Sequence, residues 1–333
     1  MQDTIPPVLK VQDLHTQLHT ERGVVKAVDG VTLQINREEI FGLVGESGCG
    51  KSMTALSIMK LVPNPPGRIV SGQIIIDGTD VTKFSDKEMQ GIRGKKASMV
   101  FQDPLQSLNP IMRVGDQIAE TVRFQLHMDR DAAQERAIDL LQSVGIPDPR
   151  MRARQYPFEM SGGMRQRVMI ALALSCSPKL LIADEPTTSL DVTIQAQILE
   201  LFRGITREFN TSILMITHSM GIVAWLCDRV AVMYAGKIVE QGKTPDVFRN
   251  PLHPYTKALL KAIPKTTDSG ESLHSIQGDV PDLISVPSGC SFNPRCEYAK
   301  EICRRKEPQL IEAELGHYAS CLMYEQEEWT RSA

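Results

Sequence analysis

The eight residues Gly45-Glu46-Ser47-Gly48-Cys49-Gly50-Lys51-Ser52 combine glycines, a lysine and a hydroxyl at the spacing G-x-x-x-x-G-K-[ST], a set suited to a phosphate chain. Glycines let successive backbone N–H groups converge on phosphate oxygens, and a following helix adds the partial positive charge of its N-terminus. Lys51 then reaches the β- and γ-phosphates, and the Ser52 hydroxyl ligates Mg²⁺. A plain glycine-rich turn is the alternative, but chance places this pattern in a chain of 333 residues only on the order of 1% of the time. Farther on, Leu180-Leu181-Ile182-Ala183-Asp184-Glu185 is an apolar run ending in two carboxylates. An α/β sheet puts its ligands at such strand ends. Asp184 is placed to hold Mg²⁺ directly or through water, and Glu185 to polarise an attacking water. Alone, this acidic end reads as a solvated strand terminus; beside a phosphate loop it reads as catalytic.

Those groups need a parallel sheet behind them. Ile40 to Val44 reads as a buried strand and Lys51 to Val62 as the helix after it. Ser71 to Gly78 reads as a strand entering a turn in an antiparallel layer. Between about 105 and 178 the pattern turns helical, with Ala137, Leu141 and Val144 on one face, so a helical insertion is expected there. Leu180 to Ala183 and Ile213 to Ile216 return as short apolar strands of a central parallel sheet. The fold class is α/β: a P-loop domain with a parallel sheet core, an antiparallel β layer and a helical subdomain. From about 263 to 289 the text becomes polar, as in Lys265-Thr266-Thr267-Asp268-Ser269-Gly270, and reads as a linker before a cysteine-bearing tail. The expected division is therefore a domain over residues 1–262 and an extension over 263–333.

Bulk properties narrow the partners. A net charge of -3 gives no electrostatic reason to expect nucleic acid. The longest strongly apolar run, Val168 to Leu174, is far shorter than the roughly 20 residues that cross a bilayer, so any membrane role must run through a partner. Met1 to Lys10 lacks the pattern of a signal peptide, and a cytoplasmic chain keeps its seven cysteines reduced.

Met160-Ser161-Gly162-Gly163-Met164-Arg165-Gln166-Arg167, shortly before the acidic strand, resembles the signature sequence of ABC ATPases. The resemblance covers about residues 8 to 262. It implies an ATPase that works as a dimer, in which Ser161, Gly162 and Gly163 face the γ-phosphate of ATP held by a second cassette, either another copy or a paralogue. Gln102, in Phe101-Gln102-Asp103-Pro104, matches the glutamine that senses Mg²⁺ and water. Ser189-Leu190-Asp191 matches the loop between half-sites, with Asp191 in contact with the nucleotide. His218, in Thr217-His218-Ser219, matches the histidine that positions the water. Two features depart from the family. Met160 and Met164 stand where leucine and glutamine are usual, and no Phe, Tyr or Trp lies between His15 and Val28 to stack on adenine, which leaves His19 or Arg22 to cover the base.

His253-Pro254-Tyr255-Thr256-Lys257-Ala258-Leu259-Leu260 reads as a proline-started amphipathic helix and resembles the segment after the cassette in oligopeptide, dipeptide and nickel importers. That branch implies two transmembrane permease subunits, an external binding protein acting indirectly, a place on the cytoplasmic face of the cell membrane, and ATP with Mg²⁺. Import of nickel or glutathione, and a soluble ABC ATPase acting in translation or DNA repair, are the competing readings. The four cysteines Cys290, Cys296, Cys303 and Cys321 are spaced C-x5-C-x6-C-x17-C. Four thiolates can hold a [4Fe-4S] cluster or zinc; the absence of pairs two to four residues apart favours the cluster, and plain reduced thiols are the third reading. Cys176 and Cys227 read as packed residues, while Cys49 inside the loop makes oxidant sensitivity an expectation.

Overall fold

The strand Ile40–Val44 is buried at every residue, so it has neighbours on both faces and both edges. The computed structural model describes residues 6–188, 190–263 and 276–325; the polar stretch Lys265 to Gly270 and Ser189 lie outside them. The chain divides into two compact units, one of Met1–Lys10, Gln34–Ile40 and Ile75–Met215, the other of Val11–Leu33, Phe41–Ile74 and Ile216–Ala333.

In the first unit, Ala97–Val100 runs parallel to Leu180–Asp184 in the register Ala97↔Leu180 to Val100↔Ala183. The segment Ile75–Ile76 turns back on Thr79–Asp80 in antiparallel pairing, as expected for the strand that ends at Gly78. Between the parallel strands come the helices Val114–Leu126, Arg130–Ser143 and Gly162–Leu174. They bury Ile118 and Val122, Ala137 and Leu141, and Val168 and Ile170 respectively. Burial of each valine, leucine or isoleucine side chain is worth about 1.5–3 kcal/mol, which is what holds these helices together, since the Arg130–Ser143 stripe is otherwise set in polar sequence. Val144, expected on the same face as Ala137, is the C-cap and is also buried.

In the second unit, Phe41–Val44 pairs parallel with Arg229–Val232. The strand Arg229–Tyr234 then returns antiparallel as Lys237–Lys243 through the two residues Ala235 and Gly236. Their φ values of 46° and 83° are those of the tight hairpin turn whose twist matches the strands. The helix after the phosphate loop runs Lys51–Ile58, four residues shorter than the expected end at Val62. Lys60 takes φ 51°, its N–H bonds to Ser57 O at 3.0 Å, and Leu61 N–H bonds to Leu56 O at 2.8 Å. This is a left-handed C-terminal lock carried by lysine rather than glycine, which is why no sequence signal marked it. No helix among the described residues is long and apolar enough to cross a membrane.

The C-terminal strands extend this sheet. His317–Ala319 pairs antiparallel with Lys237–Lys243 and is followed outward by Ile311–Glu314. A fully buried Glu240 anchors the arrangement: its carboxylate accepts the Leu252 and His253 N–H groups and bonds His317 Nε2, all at 2.8 Å. His253 N-caps the helix Pro254–Lys261 by accepting the Tyr255 N–H at Nδ1, and burial pulls its pKa down to about 4, which keeps that nitrogen an acceptor. Glu240→Ala leaves two amides and a histidine unpaired in the interior and should cost about 3 kcal/mol or more, read as a lowered urea midpoint, with Glu240→Gln losing less because it keeps an acceptor oxygen.

Candidate functional site

The phosphate loop belongs to the second unit and leaves the sheet directly after Val44. A Cβ at Gly45 would stand 2.2 Å from Met233 O, and one at Gly50, where φ is 107°, would stand 2.1 Å from Ala27 O. Glycine is required at both places by backbone crowding alone. Gly48, at φ 80° with open space around it, needs only the backbone freedom. The loop is pinned from outside by Gly236 N–H donating to Cys49 O at 2.9 Å and from inside by Cys49 N–H donating to Glu46 O at 3.3 Å. Lys51 is buried, its Nζ donating to Gly45 O at 2.8 Å and Glu46 O at 2.9 Å, so the ammonium is held under the loop. Ser47, Gly48 and Ser52 face solvent at the opening of the helix Lys51–Ile58. Exposed amides, a helix N-terminus and a held ammonium form a cradle that fits a nucleotide's phosphates.

Cys49 is fully buried, and burial raises its thiol pKa. The expected oxidant sensitivity lacks the exposed thiolate it needs. His218 lies in the same unit, after the strand Ser212–Thr217, with an exposed side chain. The next residue, Ser219, caps the helix Met220–Leu226.

The carboxylates belong to the first unit. Asp184 is the last residue of its strand and is 7% exposed. Glu185 follows at φ 46°, a left-handed conformation that costs a non-glycine residue on the order of 1–3 kcal/mol and clusters at functional positions. Its Oε2 accepts from Gln102 Nε2 at 3.4 Å and from Thr188 Oγ1 at 3.0 Å. The structure thus joins two of the predicted residues, Gln102 and Glu185, and adds Thr188, which sequence reasoning missed. Ser161 caps the helix Gly162–Leu174 by accepting Met164 N–H at 3.3 Å, and Met160 is buried as a leucine would be. Gly163 lets this helix approach Ile194, whose Cγ2 would be 2.8 Å from an added Cβ. Asp191 caps the helix Val192–Glu208 by accepting Ile194 N–H at 3.0 Å, so the Ser161–Gly163 turn and Asp191 are placed by the same pair of helices.

Cys290, Cys296, Cys303 and Cys321 line one pocket with His253 and Phe292. Burial pushes the Cys290 thiol up to about 12 and the Cys321 thiol up to about 11, and neighbouring thiols add to both. Among the described residues no group of three or more His, Cys, Asp or Glu side chains is arranged to hold a metal ion. The pocket therefore supplies four sulfurs of the predicted type, without a preformed ligand sphere. Sequence reasoning also missed what lies beneath the loop. Tyr255 accepts the Glu46 N–H at 2.9 Å, and Arg295 pairs with the Glu46 carboxylate at 2.8 Å. Neither position carries a spacing signal, because the partners are more than 200 residues apart in the chain.

A glycine-crowded phosphate loop, a strand ending in Asp184-Glu185 and a serine-capped Ser-Gly-Gly turn define a P-loop ATPase of the ABC cassette class. The ABC transporter family model matches residues 28–188, and the oligopeptide/dipeptide transporter C-terminal region matches residues 239–303. The dipeptide transport ATP-binding protein DppD of Bacillus subtilis is 49% identical over 96% of this chain and 95% of its own length. The oligopeptide transport ATP-binding protein OppD of the same organism is 50% identical over 93% of this chain and 87% of its own. A dimeric ATP-binding cassette solved in a post-hydrolysis state with ADP and phosphate superimposes with a TM-score of 0.64 at 25% identity, over 71% of this chain and 98% of that one. A cassette from Clostridium perfringens, part of a cbiONQ transporter complex, gives 0.63 at 28% identity, over 74% and 92%. The chain belongs to the ABC transporter ATP-binding proteins that carry the oligopeptide/dipeptide C-terminal region. Gly45→Ala and Gly50→Ala should each lower ATP affinity at least about tenfold while the protein stays folded, as read by titration with a fluorescent ATP analogue and by thermal unfolding.

Proposed function

We propose that this chain is the ATP-hydrolysing subunit of an ABC importer that drives uptake of di- or oligopeptides. The observation that carries the reading is a phosphate loop of the required geometry in a chain that matches dipeptide and oligopeptide transport ATP-binding proteins along nearly its whole length, C-terminal region included. That region speaks against an ATPase of translation or DNA repair. The cassette occupies residues 1–262 in this reading and the extension residues 263–333.

The loop of Gly45, Glu46, Ser47, Gly48, Cys49 and Gly50 wraps the phosphates, with the Glu46 and Cys49 N–H groups spent on holding its shape, and Lys51 neutralises the β- and γ-phosphate charge. Mg²⁺, when bound, neutralises phosphate charge that develops in the transition state; Ser52, Asp184 and Gln102 are the residues that would hold it. Glu185 accepts a hydrogen bond from the attacking water, with Gln102 keeping the carboxylate oriented through the 3.4 Å contact and His218 positioning that water. Ser161, Gly162, Gly163 and Asp191 contact ATP held by a second cassette, so the active form is a dimer with itself or a paralogue. That dimer seats on two permease subunits at the cytoplasmic face of the membrane, and an external binding protein supplies the peptide.

The four-thiol pocket is the candidate seat of a [4Fe-4S] cluster, with zinc as the alternative. Its sulfurs match the donor set, but among the described residues they do not form a metal-holding group, and hydrolysis does not pass through it. Iron, zinc and acid-labile sulfide measured on anaerobically purified protein should return iron and sulfide in a ratio of about one that Cys290→Ser abolishes; no metal at all leaves ordinary thiols. For hydrolysis, Glu185→Gln should keep ATP binding and lower kcat at least about a hundredfold, and unchanged turnover would remove Glu185 from the mechanism.

A further inference from the structure

Beneath the phosphate loop, every polar group of Glu46 is engaged. Its N–H donates to Tyr255 Oη at 2.9 Å, and its O accepts from Lys51 Nζ at 2.9 Å and from Cys49 N–H at 3.3 Å. Its two carboxylate oxygens accept from Arg295 Nη1 at 2.8 Å and Nη2 at 3.0 Å, a bidentate fork. The Arg295 side chain is 5% exposed and that of Glu46 27%, so the pair is half-buried, unlike the fully exposed ion pairs that contribute little. The guanidinium is itself positioned: Nε donates to Gln277 O at 3.0 Å, and the group stands 5.8 Å over the Tyr234 ring.

Arg295 lies in the C-terminal region, in the single helical turn Asn293–Arg295, directly before Cys296 of the thiol pocket. Phe292 lines that pocket and packs on Tyr234, Tyr255 and His253 at ring distances of 5.2, 5.4 and 5.8 Å. One aromatic cluster therefore supports both Tyr255, which holds the Glu46 amide, and the turn that carries Arg295, which holds the Glu46 carboxylate.

We propose that Arg295 is a positioning residue for ATP: through the fork to Glu46 it fixes the conformation of the phosphate loop, making the C-terminal region part of the nucleotide-binding machinery. The fork is made to the second residue of the loop, next to the exposed Ser47 and Gly48. Without it the Glu46 carboxylate is left partly buried with its charge uncompensated, and it relaxes toward water, carrying the loop backbone with it. The consequence falls on binding, because Arg295 touches the loop and not the water or the carboxylate that polarises it. This inference rests on the ATPase reading only for its kinetic consequence; its structural content concerns the loop itself.

The test uses the full-length protein, assembled with its permease subunits where turnover is read. Arg295→Met should raise KM for ATP and the Kd of a fluorescent ATP analogue about tenfold while kcat stays within about twofold. Arg295→Lys keeps the charge but loses the parallel fork, so it should fall between Met and wild type. Combined with Glu46→Gln, Arg295→Met should add nothing to the loss that either change causes alone. In nucleotide-free protein, amide hydrogen exchange over residues 45–50 should quicken about tenfold in Arg295→Met, with the helices of the first unit unaffected. Wild-type KM, Kd and exchange in a folded Arg295→Met or Arg295→Lys protein, or losses that add with those of Glu46→Gln, overturn the proposal. If the wild type hydrolyses no ATP, the ATPase reading falls, and the exchange measurement alone then decides whether Arg295 holds the loop.

Discussion

The approach of two backbone carbonyls to two glycines is the constraint on which the nucleotide cradle depends. Met233 O and Ala27 O lie so close to Gly45 and Gly50 that a single added carbon at either would overlap them. At Gly45 that closeness comes from the parallel pairing of Phe41–Val44 with Arg229–Val232, which sets Val44 opposite Val232 and so delivers Gly45 to Met233. The next turn, Ala235-Gly236, then reaches back to hold Cys49 O through Gly236 N–H. A loop held this tightly presents its amides to phosphate already oriented, and little ordering remains to be done on binding.

The C-terminal region is attached by the same means on which the cassette relies, a buried charge with its partners in place. Glu240 satisfies two amides and His317 at once, which ties the strand His317–Ala319 and the start of the helix Pro254–Lys261 to one point of the sheet. From that helix Tyr255 reaches Glu46, and from the segment after Phe292 so does Arg295. The extension is thus built into the underside of the phosphate loop rather than appended to the far end of the chain, although some 250 residues separate Glu46 from Arg295. A half-buried, forked ion pair of this kind is costly to break from one side and specific in its geometry, which suits it to fixing a loop.

In the other unit the candidate site positions are set by strain and capping. Glu185 occupies a left-handed conformation immediately after a fully buried strand, and Gln102 and Thr188 hold its carboxylate there. Ser161 and Asp191 each cap a helix, and the contact of Gly163 with Ile194 brings the two helix starts together. The candidate site residues of this unit are therefore those at which regular structure begins or ends, where backbone groups and side chains are not consumed by the ladders of the fold.

Much of this was legible in the residue order. The phosphate loop, the acidic strand end, the strands Ile40–Val44 and Ser212–Thr217 and the helix Pro254–Lys261 carry local signals: glycine spacing, unbroken apolar runs and a proline at a helix start. Each of these is determined within about ten residues, the range over which backbone sterics and burial periodicity act. The early end of the helix at Ile58 escaped because lysine rather than glycine takes the left-handed position. The Glu46 clasp escaped for a different reason. Tyr255 and Arg295 are ordinary residues until the sheet and the C-terminal strands bring them under the loop, and long-range ion pairs and hydrogen bonds have no period to read. The four cysteines show both sides: their spacing marked them as a set, but the one pocket they share, and the burial that raises the Cys290 and Cys321 thiol pKa values, come only from the tertiary structure.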